Sequence, residues 1–148
     1  MRNTDRKLNL AILVLVMVGL LDSLYLSWVK LSNTEAACLP GIGNCETVNS
    51  SSYASIGGIP VAVLGAAAYL AILAVLLLER RKGFWMDNGE MIIFGFSLIG
   101  VLYSLYLTYL ELAVIHAICP FCVVSAIALI LIFSMNLVRL ANNQAHTQ

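Results

Sequence analysis

Charge is scarce in this chain. Lys and Arg number eight and Asp and Glu eight, together 11% of 148 residues, where ordinary globular proteins carry about 25%. The few charges gather in short clusters between long apolar runs, which excludes a soluble domain of this size. With 61% hydrophobic residues and a mean hydropathy of +0.92, the chain is built for lipid. The charges also cancel, and a net charge of zero leaves no basic face with which to neutralise phosphates, so nucleic acid is excluded as a partner. There is no Gly-rich phosphate loop, internal repeat or low-complexity segment. No small-residue cleavage site closes the first apolar run before Trp28, so that run is a retained span rather than a signal peptide.

What the sequence has in quantity is apolar length. Four runs, at residues 8–29, 61–78, 91–112 and 118–138, each match the roughly 20 helical residues that cross about 30 Å of hydrocarbon. They predict an all-α membrane protein: one integral membrane domain over residues 1–148, a four-helix transmembrane bundle with a long extracytoplasmic loop, residues 30–60, between helices one and two. Lys and Arg set the orientation, because cytoplasmic connections keep an excess of them. Arg2, Arg6 and Lys7 precede the first run, Arg80, Arg81 and Lys82 follow the second and Arg139 follows the fourth, seven in all against Lys30 on the other side. Both termini and the loop at residues 79–90 are therefore expected in the cytoplasm, with the protein integral to the inner (cytoplasmic) membrane.

All four cysteines then fall on the oxidising face. Cys38 and Cys45 lie in the long loop, and Cys119 and Cys122 form a C-P-F-C motif where the fourth run begins. Disulfides persist outside the cytoplasm, so two pairs, or a relay between them, are open. Pro120 suits the first turn of a helix, which puts Cys119 at the helix start and Cys122 one turn on, on the same face. The unpaired N–H groups and positive dipole end there favour thiolate at Cys119. Other readings stand beside redox work. The loop pair as a structural staple contributes about 2–3 kcal/mol by loop closure. An all-thiolate metal site normally takes two close C-x-x-C knuckles, whereas six residues separate Cys38 from Cys45. A carrier of a soft ion such as mercuric ion suits thiolates, but it is expected to hold a cysteine pair inside a helix.

The order C-L-P-G-I-G-N-C (Cys38 to Cys45), E-T-V-N-S-S-S-Y, G-G-I-P (Gly57 to Pro60) opening a helix with Gly65 and Tyr69, and then C-P-F-C, resembles the vitamin K epoxide reductase family in its bacterial form, over roughly residues 23–131. The resemblance implies a four-helix bundle around a quinone, ubiquinone or menaquinone. It implies an enzyme, a quinone-linked oxidoreductase that makes disulfides for secreted proteins. By position, Cys38 would exchange with a reduced thioredoxin-like periplasmic protein, Cys45 would pass electrons to Cys119, and Cys122 would face the quinone. Ser51 matches the family's loop serine or threonine, whose hydroxyl could bond a quinone oxygen or a helix end; capping a short helix in the Ser50–Ser52 run is the alternative. The family often continues into a thioredoxin-like domain. None is fused within these 148 residues, so the thiol partner is expected to be a separate protein. The DsbB type of disulfide oxidase is the other four-helix candidate, but it carries its C-x-x-C in the first outer loop, the reverse of the order here.

Further residues draw attention. Asp22 lies about 14 residues into the first run, roughly 21 Å along a helix, and intramembrane acids are functional by default; it either handles protons for quinone reduction or hydrogen-bonds Ser23, Ser27 or a tyrosine. Glu111 and His116 fall near Cys119, where His116 can assist thiolate formation or the two can form an ordinary interfacial pair. Tyr103, Tyr106 and Tyr109 either line a quinone pocket or form an interfacial belt with Trp28, Phe84 and Trp85. Gly65 with Ala66, Ala67 and Ala68 offers a small surface for close helix approach.

Overall fold

In hydrocarbon the backbone has only itself to hydrogen-bond, so apolar runs of this length close their ladders within helices. The computed structural model describes residues 3–32, 34, 47–48, 51–79 and 84–144. Its four long helices are α1 (Asn3–Ser32), α2 (Val61–Leu78), α3 (Phe84–Leu110) and α4 (Pro120–Gln144). Each contains a stretch long and apolar enough to cross a membrane. The helices overrun the apolar runs at several ends, because the ladder continues into polar flanks: α1 extends from Asn3 to Ser32 and takes in Lys30, and α3 starts at Phe84. The fourth helix starts later than its apolar run, at Pro120 rather than residue 118, because His116 turns the chain through the left-handed region at φ 53°.

α1 packs on α2 and α4, and α3 packs on α4 and α2, closing a ring of neighbours. On α1 the buried positions Ile12, Val16, Leu20, Ser23 and Ser27 recur at three- and four-residue steps, the spacing that keeps one helix face on its neighbours. Ile12, Val16 and Leu20 meet Tyr69, Ile72, Val75 and Leu76 of α2, Ile93 of α3, and Leu129 and Ile132 of α4 in one apolar cluster. These residues fill the half of the bundle that holds the chain termini. Gly19 is required there, because a Cβ on it would collide with the Tyr69 ring.

At the terminal end, Arg139 of α4 bonds Glu79 at 2.9 Å and Glu90 at 3.1 Å. It lies within α4 and is 5% exposed, rather than standing in a loop beyond the helix. Asn136 donates to the Glu90 carbonyl at 2.8 Å beside it. Burial pushes Glu79 above the ordinary carboxyl range, against the pull of Arg139 and with a further push from Glu90. Arg139→Met should cost about 3 kcal/mol, because it strands two carboxylates around a vacated cation position. The proton on folded Glu79 is held more tightly than in the unfolded chain, so deprotonation opposes folding. The loss, measured by melting in detergent, should thus be greatest at neutral pH and shrink as pH falls towards the ordinary carboxyl value of 4.5.

At the opposite end, the described part of the long loop forms a short 3-10 turn (Ser52–Ala54) and a two-stranded hairpin in which β1 (Ser55–Ile56) pairs antiparallel with β2 (Ile59–Pro60). Gly57 and Gly58 turn it with φ of +57° and +86°, the two positive angles of a tight hairpin turn. Pro60 then leads directly into α2.

Candidate functional site

Cys119 stands immediately before α4, and its carbonyl accepts the first intrahelical bond, from Val123 N–H at 3.1 Å. It is 1% exposed, whereas Cys122 is half-buried; both are free thiols. Phe121 between them packs on Tyr25 of α1, ring centroids 5.2 Å apart, which fixes the start of α4 against the bundle. The Cys119 thiol is pushed below its ordinary value chiefly by a hydrogen bond from the Cys122 thiol, helped by the N–H groups of Cys122 and Phe121. Burial and the negative field of Glu111 oppose the shift. Low thiol pKa at the helix start was expected from the motif; the partner thiol as its main cause was not.

Glu111 owes its place to a change of helix type. α3 ends at Leu110 and gives way to a π-helical turn, Glu111–Ile115, capped by left-handed His116. The wider turn brings the Glu111 carboxylate, buried at 4% exposure, back under the start of α4. Its Oε2 accepts the Cys119 N–H at 3.2 Å, and the Cys122 thiol is a second hydrogen-bond partner. His116, the alternative assistant to thiolate formation, is exposed and faces its own Val114 carbonyl, 3.3 Å from Nδ1. The carboxylate, and not the imidazole, attends the cysteines, and the two do not form an interfacial pair.

The half of the bundle above Tyr69 and Leu129 is hollow. A cavity of about 570 Å³ runs from there to Cys119 and Cys122, and Val48, Ser51, Tyr53, Ala54 and Ile56 of the long loop line its outer end. The described part of the loop and the C-P-F-C motif therefore share one end of the molecule. Leu64 of α2 and Phe96 and Ile99 of α3 line the cavity and are exposed apolar side chains. Gly65 leaves room for Ser23, whose Oγ would lie 3.2 Å from an added Cβ.

Polar groups on the wall are few. Tyr69 crosses the bundle from α2 to α4, its hydroxyl 3.1 Å from the Ser125 carbonyl and 3.0 Å from Ser125 Oγ. Ser27 donates to the Ser23 carbonyl at 2.7 Å. Both hydroxyls are thus engaged away from Asp22, whose Oδ2 is buried with no hydrogen-bond partner. Ser51 faces the cavity and does not cap the 3-10 turn; its hydroxyl donates to the Val48 carbonyl at 2.7 Å. The tyrosine stripe divides, with Tyr103 on the cavity and Tyr106 and Tyr109 exposed. Cys38 and Cys45 lie outside the described residues.

The comparison with known proteins agrees with the motif order. Residues 10–137 match the vitamin K epoxide reductase family. The chain belongs to that family. Among its relatives is the thiol-disulfide oxidoreductase LTO1 of Arabidopsis thaliana, 31% identical over 113 residues, which are 72% of this chain and 30% of the relative. The chain thus spans about a third of the length of that relative. The match runs through parts of all four candidate spans.

Proposed function

We propose that this chain is a quinone-dependent thiol–disulfide oxidoreductase that generates disulfides. Electrons pass from a reduced thioredoxin-like protein outside the cytoplasm through Cys38 and Cys45 to Cys119 and Cys122, and on to ubiquinone or menaquinone. The observation that carries the reading is that both thiols of the C-P-F-C motif line one largely apolar cavity among the membrane-spanning helices. The matching family and the thiol-disulfide oxidoreductase of Arabidopsis thaliana support thiol–disulfide chemistry. Both termini lie in the cytoplasm in this reading, on the strength of Arg2, Arg6, Lys7, Arg80, Arg81, Lys82 and Arg139 against Lys30 on the other side.

The residues present fit a quinone. About 570 Å³ lies within the roughly 300–1,000 Å³ of small-molecule pockets, which combine apolar walls with a few placed polar groups. The bound quinone supplies a two-electron, two-proton acceptor. A partner thiolate attacks the Cys38–Cys45 disulfide at Cys38; the mixed disulfide resolves, and freed Cys45 attacks the Cys119–Cys122 disulfide at Cys119. Each exchange forms one S–S bond and breaks one. In the reduced pair the Cys122 thiol holds its hydrogen bond to Cys119, and Glu111 lies ready to take the Cys122 proton at its carboxylate. Cys122 faces the ligand, and Ser51 can turn its hydroxyl from Val48 to a ligand carbonyl.

Purified protein mixed with a short-chain ubiquinone or menaquinone and a reduced dithiol should yield one quinol per disulfide formed. Absence of quinol with either quinone, together with cysteine-dependent uptake of mercuric ion into vesicles, would reject this reading in favour of a soft-metal carrier.

A further inference from the structure

Asp22 is a carboxyl group within the membrane-spanning part of α1, on the wall of the cavity. One of its oxygens is closed to solvent and bonded to nothing. Carboxyl groups at such depth are costly and are retained where they line a cavity or meet a partner. The Ser27 hydroxyl donates to the Ser23 carbonyl and the Tyr69 hydroxyl bonds Ser125. Among the described residues the cavity lining contains no lysine or arginine to pair with it. The described titratable groups that share the lining are Tyr53 from the 3-10 turn, Tyr69 from α2, Tyr103 from α3, Glu111 from the π turn, and Cys119 and Cys122 at the start of α4. Glu111 serves the thiols, leaving Asp22 as the carboxyl group on α1 that faces the cavity with an unpartnered oxygen.

We infer, resting on the quinone reading above, that Asp22 is a catalytic acid that delivers a proton from its carboxyl group to a carbonyl oxygen of the bound quinone. Oxidation of Cys119 and Cys122 breaks two S–H bonds, forms one S–S bond, and releases two electrons and two protons. Conversion of quinone to quinol consumes the same number of each. The O–H bond broken at Asp22 is remade with one of the protons released by the thiols, so Asp22 ends each turnover as it began. The other proton, taken up at Glu111, passes to the second carbonyl oxygen of the quinone, so both thiol protons are accounted for in the quinol.

The test uses the full chain in detergent with a short-chain ubiquinone and a small dithiol as donor. Asp22→Asn keeps the size and loses the exchangeable acid proton; it should lower kcat on the order of 10²-fold, leave KM near the wild-type value, and alter the pH profile of kcat. Asp22→Glu should restore part of the rate. Infrared difference spectra on adding quinone should contain a shifted carbonyl stretch of a carboxylic acid in the wild type and in Asp22→Glu, and lack it in Asp22→Asn. A folded Asp22→Asn protein, judged by helical circular dichroism and melting, that keeps the wild-type kcat and pH profile would overturn the inference. If Asp22→Asn does not fold, the wild-type spectrum decides: a carboxylic acid band unmoved by quinone overturns it. Failure of the wild type to reduce quinone at all overturns the quinone reading first, and this role with it.

Discussion

Cys122→Ala should abolish quinone reduction with both a thioredoxin-like protein and a small dithiol as donor. A loss on the order of 10³-fold or more is expected, because the substitution removes an atom that changes bonding, leaving only binding and electrostatic effects. Cys38→Ala should behave differently. It removes the entry point for a protein donor, and a small dithiol that reaches the Cys119–Cys122 disulfide directly should still support turnover. Cys119 is 1% exposed, so the size of the donor matters. A protein surface cannot approach that sulfur unless the long loop carries the electrons inward. Donor-by-donor initial rates for wild type, Cys122→Ala and Cys38→Ala provide the measurement. Full turnover by Cys122→Ala with either donor would refute its assigned role.

Glu111→Gln should slow quinol formation on the order of 10²-fold, the range for loss of a positioned proton acceptor, with little change in quinone KM. The amide keeps the acceptor for the Cys119 N–H, now at 3.2 Å, so the start of α4 should hold its shape. A second effect runs the opposite way. The carboxylate's negative field opposes thiolate at Cys119, so its removal should move the pH midpoint of Cys119 alkylation lower while turnover falls. A merely structural glutamate would not separate these two readouts. Equal turnover in Glu111→Gln and wild type, or an alkylation midpoint that rises, would refute the proton role.

Much of the site was legible because its signals are local in the chain. Pro120 after Cys119 announces a helix start, and a three-residue step places Cys122 on the same face. Other assignments depended on where a side chain turns at the end of a helix. Glu111 and His116 are five residues apart, and both precede Cys119 closely enough in the chain to be candidates for its partner. The π turn and the left-handed His116 swing one inward and the other out. No composition or periodicity signal marks such a turn beforehand. Arg139 presents the same problem at the other end: as a basic residue after an apolar run it counts as a loop charge, yet α4 continues through it and α2 and α3 bring Glu79 and Glu90 to it.

The sequence by itself determined four membrane spans, the long loop between the first two, and the membership of Cys119 and Cys122 in one helix-initiating motif. Hydropathy, run length and short-range spacing are properties of contiguous residues, and lipid leaves the backbone little choice beyond the helix. Tertiary packing alone decided that the bundle is solid below Tyr69 and hollow above it, that Glu111 meets the cysteines, and that Asp22 faces the cavity with a free oxygen. Those outcomes follow from how four helices rotate and approach one another, and that is set by contacts such as Tyr69 on Gly19 and Ser125, between residues far apart in the chain.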